Sequence, residues 1–325
     1  MYVELPHSLT SRWIDLQTGS TLVLSQPPLT VEVLGVLGIR TIFWLLPSTL
    51  FLIFDTAVPS IAVSIKTQDE SALPIRTTNG RGPKKGGPVW YRVIALSAFN
   101  LLLCASIQAG VELLLTEVLS FRSALQVTTT LPMPWSIVKH VVRSLLLREG
   151  LQYYIHRFIL HAKQGNWLSG LHKTYFHSIS APYSFAAHYD HPAPYVLFRF
   201  IPTYLPSVIL RTHLLTYLMT LSIITMEETL TLSGYSVVPG IMLGGIARRQ
   251  DLHSEARGKG NFAPLGILDW IHGTSIGGDV VNDMRDEADK HNVSGRSSNA
   301  LESAKESGRK GVKAMDTRRK NARRS

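Results

Sequence analysis

Two long apolar segments place the strongest constraint on how this chain can fold. Leu34 to Phe54 carries one charged residue, Arg40, and Val93 to Leu115 carries one, Glu112. Each segment has about the 20 residues that a helix needs to cross the hydrocarbon core of a bilayer. The sequence therefore predicts a membrane protein.

Three further apolar segments follow. Ile137 to Leu160 contains charged residues, and we expect two of them, Arg148 and Glu149, to face the bundle interior or each other. Tyr195 to Leu210 and Leu214 to Thr231 predict a helical hairpin, with prolines that break its first helix. The predicted fold is an all-α, polytopic membrane bundle of about four to five membrane helices.

The charge distribution predicts the orientation of this bundle. The formal net charge is +10, and basic residues concentrate between Lys66 and Arg92 and in the C-terminal tail. The positive-inside rule places both segments, and with them the C-terminus, in the cytosol. We divide the chain into an N-terminal segment (1–33), a membrane-embedded domain (34–278) and a basic, disordered tail (279–325).

Several classes of protein are excluded. The first thirty residues have no basic stretch before an apolar core, so no cleavable signal peptide is expected. The single cysteine, Cys104, rules out a disulfide framework within the chain and a thiolate metal cluster. The tail lacks aromatic residues for base stacking, so its charge suits anionic lipid rather than nucleic acid.

Histidines concentrate just after the third apolar segment. Six of the twelve histidines lie in three pairs, His156/His161, His172/His177 and His188/His191. Neutral imidazole is the commonest protein ligand for transition metals, so the pairs predict a cytosolic, histidine-rich metal site.

The spacing within each pair constrains the local backbone. His188 and His191 are three residues apart and would share one face of a helix. The members of the other two pairs are five apart and would not share a face of a regular helix. Either a π-bulge separates them, or the second histidine follows the helix end.

These motifs resemble the fatty acid hydroxylase/sterol desaturase superfamily of membrane-embedded, non-haem di-iron oxygenases. The resemblance covers 135–278, where HRFILH and HKTYFH match two histidine boxes and AHYDHP follows them. After the hairpin, EETLTLSGY and GNFAPLGILDWIHGT match the family's later segments. The resemblance implies iron ligation by seven histidines: His156, His161, His172, His177, His188, His191 and His253.

The chain also departs from the family pattern at four positions where members have histidine. These positions are occupied by Phe176, Leu232, Gln250 and Ser254. Carboxylates could complete a di-iron site, with Asp190, Asp251 and Glu255 as candidates, or one metal position is weak or empty.

Residues beyond the ligands have two interpretations each. Asp269 either accepts a hydrogen bond from a ligand histidine or caps a helix, and Asn261 either belongs to the ligand shell or holds the turn after Gly260. Asp251 and Glu227 are further candidates for a supporting role around the metal.

The resemblance implies an iron-dependent oxidoreductase of the endoplasmic reticulum that uses O2 to hydroxylate or desaturate a lipid, either a sterol or a fatty acyl chain. Its expected electron donors are cytochrome b5 and an NAD(P)H-dependent reductase. The departures leave an alternative, a non-catalytic lipid-binding or scaffold membrane protein derived from that family.

Overall fold

The computed structural model describes residues 26–75 and 88–291. Within these residues the regular secondary structure is helical, and extended backbone pairs only in two isolated bridges, Lys66–Tyr235 and Gln126–His213. The all-α prediction is confirmed for this part of the chain.

The described residues form ten α-helices. They are α1 (28–57, with a π-helical turn at Thr41–Leu45), α2 (Pro59–Ile65), α3 (90–118), α4 (134–160, ending in a π-helical turn at His156–Leu160), α5 (Trp167–Tyr175), α6 (192–209, with a π-helical turn at Val196–Phe200), α7 (Leu214–Thr231), α8 (Ile241–Glu255), α9 (Ile267–Ile271) and α10 (Val280–His291).

Helices α1 and α3 are long and apolar enough to cross a membrane. Helix α1 begins before the predicted Leu34, at Pro28, because proline suits the first turn, where its missing N–H has no intrahelical partner. Large apolar side chains such as Leu50 and Leu102 lie exposed on their outer faces. Two helices of the described residues meet this test, and the count of four to five spans stays a prediction.

Polar groups on these two apolar helices turn inward. Gln108 on α3 donates to Glu32 on α1 at 2.6 Å, and the Tyr217 hydroxyl on α7 donates to Gln108 at 2.9 Å. Unpaired polar groups are costly in an apolar medium, so these contacts fix the three helices against one another.

Two charged residues of α4, Arg148 and Glu149, also face the interior, as expected. Arg148 donates to both carboxylate oxygens of Glu227, at 2.9 and 3.2 Å, and to Glu228 at 3.2 Å. Glu149 instead accepts hydrogen bonds from the backbone N–H groups of Leu265 and Ile267. The two residues thus tie α4 to two different elements, the end of α7 and the loop before α9.

The prediction that prolines break the first hairpin helix is wrong. Helix α6 runs through both of them, and a π-helical turn at Val196–Phe200 directly precedes the segment that contains Pro202 and Pro206. Pro202 stands at the start of that segment, and the wider turn before it changes the hydrogen-bond register where proline lacks a donor.

The predicted tail begins with ordered structure. Val280–His291 form α10, which packs on α8 through a buried ion pair of Asp283 and Arg249 at 3.2 Å. Arg248 adds a second pair with Asp286 at 2.6 Å. The remainder, 292–325, lies outside the described residues.

A buried polar triad joins the end of α1 to the segment after α7. Lys66 Nζ lies 2.9 Å from Asp55 Oδ2, and the Tyr235 hydroxyl donates to Asp55 Oδ1 at 2.6 Å. The Lys66 ammonium also lies over the Tyr235 ring, 4.3 Å from its centroid. The tyrosine of the SGY motif therefore has a structural contact with the first apolar helix.

We expect Asp55→Asn to lower the free energy of unfolding by about 3–5 kcal/mol, because it leaves the buried Lys66 ammonium without a counter-charge. Adding Lys66→Met should restore part of that loss. Thermal unfolding in detergent measures both variants. An unchanged melting temperature for Asp55→Asn would contradict the importance of the triad.

Candidate metal centre

Four histidines from separate elements converge at one point. His156, His161, His177 and His253 each offer one ring nitrogen, and these four nitrogens lie within 4.8 Å of one another. His156 and His253 are buried, and the other two are partly buried. Within the described residues, no cysteine or carboxylate belongs to this group, so its possible metal ligands are all imidazoles.

The π-helical turn at the end of α4 brings the first pair together. The N–H of His161 donates to the carbonyl of His156, five residues earlier, at 2.8 Å. The ring centroids of these two histidines are consequently 4.8 Å apart. The π-bulge predicted from the five-residue spacing is present here, and His161 stands directly after it.

In the second pair, His172 and His177, the second histidine follows the helix end, which is the other predicted arrangement. Helix α5 ends at Tyr175, and a short 3₁₀ turn, Phe176–Ser178, carries His177 past the helix end. The rings of His172 and His177 then lie 5.0 Å apart and nearly perpendicular.

His172 lies beside the four-histidine group as a fifth imidazole. Its ring centroid is 5.3 Å from those of His156 and His161. It is fully buried, and its Nε2 has no hydrogen-bond partner. We refer to His156, His161, His172, His177 and His253 as the five-histidine cluster.

Outer hydrogen bonds determine which ring nitrogen carries the proton. His156 Nδ1 lies 2.7 Å from the Phe262 carbonyl oxygen, and His253 Nδ1 lies 2.6 Å from that of Gly260. A carbonyl oxygen only accepts, so each Nδ1 donates and each neutral ring keeps a bare Nε2. Both Nε2 atoms are buried without a partner. Asp190 accepts from His172 Nδ1 at 2.6 Å in the same way.

The distances within the cluster fit one transition metal ion. His161 Nε2 and His177 Nε2 are 3.1 Å apart. Two nitrogens about 2.1 Å from a shared ion, at a right angle, would be about 3.0 Å apart. Without an ion, one of these two rings can donate to the other, whereas the buried Nε2 atoms of His156 and His253 have no partner. His156, His161, His177 and His253 therefore have the donors and the spacing for one ion. His172 adds a further bare nitrogen beside them.

Burial favours the neutral form of His161 and His253. Desolvation and the neighbouring histidines lower the pKa of His161 to about 2. Desolvation, opposed by the hydrogen bond to Gly260, lowers the pKa of His253 to about 4. The lone pairs that a metal requires are thus available at neutral pH.

The loop after α8 supports the cluster from outside. Asp269 accepts from the backbone N–H groups of Phe262 and Ala263, both at 2.9 Å, and from the Thr274 hydroxyl at 2.7 Å. These bonds position the Phe262 carbonyl that holds His156. Neither expected role of Asp269, a direct bond to histidine or a helix cap, matches this arrangement.

Asn261 holds the turn in the same loop. It has a left-handed backbone (φ 55°), and its side chain accepts from Ile276 N at 2.8 Å and donates to the Ile276 carbonyl at 3.1 Å. Of the two interpretations of Asn261, the structure supports the one in which it holds the turn, not the one in which it belongs to the ligand shell.

The structure does not bring His188 and His191 into the cluster. They share no helix, because His188 ends a 3₁₀ turn and His191 begins α6 as its N-cap. His188 Nδ1 pairs with the Tyr195 hydroxyl at 2.9 Å, and His191 Nδ1 accepts from Ala193 N. The expected common helical face was wrong because the proline at 192 starts a new helix.

Three candidate carboxylates also lie elsewhere. Asp251 and Glu255 line a cavity of about 570 Å³ beside α8, and burial raises the pKa of Asp251 to about 7. Glu227 pairs with Arg148. On helix α8, Asp251 is two residues from His253, which turns it to a different face. The structure therefore gives no contact that supports the expected roles of Asp251 and Glu227 around the metal.

Gly258 is a site residue that the sequence analysis missed. It has a positive φ of 80°, and a Cβ added to it would lie 1.9 Å from His161 Cε1. A side chain there would displace the His161 ring. Its place in a GKG triplet after His253 indicates a turn but gives no sign of the histidine that packs against it.

Comparison with known proteins matches the region that carries the cluster to the family that the sequence motifs resemble. Residues 141–274 match the model of the fatty acid hydroxylase family. Methylsterol monooxygenase 1-1 of Arabidopsis thaliana is 31% identical over 162 residues, which cover 47% of this chain and 53% of the relative. Methylsterol monooxygenase 1-2 of the same plant is 30% identical over 181 residues, covering 52% and 59%.

The chain thus spans about half the length of the curated relatives it matches. No solved structure matches it.

We expect Gly258→Ala to weaken metal binding by at least about tenfold, because the added methyl group displaces the His161 ring. Gly240→Ala is the matched control, since Gly240 also has a positive φ but has nothing within 4 Å of an added Cβ. Calorimetric titration with Co²⁺ compares the two. Equal affinities would exclude the steric role of Gly258.

Protonation gives a second prediction, for the metal-free protein. The pKa of His253 is lower in the folded state, so its contribution to stability is complete above about pH 6.5 and is lost as the pH falls toward about 4. Chemical unfolding over this range should show a pH slope smaller by about one proton in His253→Gln than in the wild type. Parallel slopes would contradict the burial of a neutral His253.

Proposed function

We propose that the chain is a membrane-bound, iron-dependent oxidoreductase, because residues 141–274 match the fatty acid hydroxylase family model and resemble methylsterol monooxygenases. It uses O2 to hydroxylate or desaturate a lipid. The observation that carries the proposal is the five-histidine cluster, whose buried bare nitrogens lie within that region.

The donor set supports a first-row transition metal such as iron. Imidazole suits such metals, and the histidines of the cluster would hold the ion. Iron bound there would supply the activation of dioxygen and the removal of hydrogen from an unactivated C–H bond. The chain's own part is to hold the rings, through the carbonyls of Gly260 and Phe262 and the carboxylate of Asp190.

A lipid substrate is supported by the surroundings of the cluster. Large apolar side chains lie exposed along α1, α3 and α4, as a bilayer environment requires. The two plant relatives are named as methylsterol monooxygenases. For this chain we propose a sterol or a fatty acyl lipid as substrate.

The same proposal includes the cellular setting. We place the chain in the endoplasmic reticulum membrane with the cluster and the C-terminus in the cytosol, where cytochrome b5 and its NAD(P)H-dependent reductase would supply electrons. The basic tail would attract such an acidic donor, so the rate of electron transfer should fall as salt concentration rises.

A second function is favoured by one observation. Histidine is expected from the resemblance at four positions that hold other residues, which agrees with a descendant that has lost catalysis. These are Phe176, Leu232, Gln250 and Ser254. Such a protein would bind lipid or act as a scaffold. The two functions differ in whether any lipid is changed when dioxygen and electrons are supplied.

The test reconstitutes the full chain in lipid nanodiscs with iron, cytochrome b5, its reductase and a panel of sterols and acyl lipids. Mass spectrometry detects ¹⁸O from ¹⁸O2 in a hydroxylated product, or the loss of two hydrogens in a desaturated one. We expect turnover by the wild type, none by His172→Ala, and unchanged turnover by His140→Ala, whose histidine lies outside the cluster. Iron-loaded protein that changes no lipid would favour the non-catalytic function.

A further inference from the structure

The four positions that depart from the histidine pattern are far apart in the sequence but adjacent in the structure. Phe176 follows α5, Leu232 follows α7, and Ser254 lies near the end of α8. These three line one small space together with Ile179, Pro182, Ala186 and Tyr189. Gln250 lies one helical turn before Ser254 on the same face of α8, and it is buried.

This space adjoins the five-histidine cluster. The Phe176 ring stacks on the His172 ring, with centroids 5.1 Å apart and planes inclined by 10°. It also meets His177 edge-on at 5.3 Å. Ser254 directly follows His253. The substituted positions therefore lie together on one side of the cluster, where a second ion would be its neighbour.

The space has no room for an ion, and the only polar side chains of its lining are those of Ser254 and Tyr189. Its cavity volume is about 10 Å³, which is at the lower limit of what a single water molecule needs. Leu232 is 1% exposed and belongs to an apolar core with Phe185 and Ala186. A transition metal requires several nitrogen, oxygen or sulfur ligands, and an ion among these side chains would be left unsolvated.

We propose that the chain binds one metal ion, held by the five-histidine cluster, and that the packed side chains of Phe176, Leu232, Gln250 and Ser254 replace a second metal position. The two-ion cofactor that the resemblance implies does not fit these residues. The inference rests on the proposed metal-dependent function for its first ion only, so metal content can distinguish the failure of one from the failure of the other.

The experiment measures metal content on the full-length chain in detergent, stripped and then reloaded with Mn²⁺. Elemental analysis should give one ion per chain, and electron paramagnetic resonance should show an isolated ion. Two ions per chain with an exchange-coupled spectrum would overturn the inference and leave the proposed function in place. No bound ion would overturn both.

Variants tie the bound ion to the cluster. His177→Ala should lose the ion, while His140→Ala should retain it. A wild-type ion that persists in His177→Ala would show binding elsewhere and would overturn the assignment. Circular dichroism shows whether the variants fold. The number of ions bound by the wild type decides between one and two metal positions even if a variant does not fold.

A reverse substitution tests the replacement itself. The variant with histidine at all four departing positions, Phe176→His, Leu232→His, Gln250→His and Ser254→His, should bind a second ion and give the coupled spectrum. A folded variant that still binds one ion would show that these positions do not form the second site. If this variant does not fold, the single ion of the wild type remains the measurement that decides.

Discussion

The cluster depends on two hydrogen bonds from histidine to backbone. Carbonyl oxygens of Gly260 and Phe262 accept from Nδ1 of His253 and His156, and that direction leaves both Nε2 atoms bare inside the protein. Without these carbonyls either ring could take the other tautomer and place a proton where a metal must bind. The loop that supplies them is in turn held by Asp269, so a carboxylate with no contact to the histidines controls their chemistry.

Helix α4 carries both the cluster and a charge network, and its two roles support each other. Arg148 is fixed by Glu227 and Glu228, and Glu149 holds the N–H groups of Leu265 and Ile267. A buried charge is costly to leave unpaired, so α4 resists rotation or sliding against α7 and the loop. His156 lies two turns further along the same helix and inherits that fixed position.

Sequence reasoning found local features better than contacts between distant segments. The five-residue spacing of His156 and His161 required a π-bulge or a helix end, and both pairs adopt one of these solutions. The spacing of His188 and His191 was misleading, because periodicity gives a shared face only if one helix carries both residues. Gly258 was out of reach for another reason. Its importance comes from His161, which lies nearly a hundred residues earlier and meets it only in the folded chain.

The apolar side chains beside the cluster also act on the site that remains. His172 is held at one ring edge by Asp190, which sets its tautomer but leaves the ring free to tilt about that bond. The Phe176 ring stacked on it at 5.1 Å limits this freedom, because a tilted imidazole would collide with the phenylalanine ring. A phenylalanine in place of a ligand therefore restricts the orientation of its neighbouring ligand. On this argument, a single ion and a rigid His172 are two consequences of the same residue.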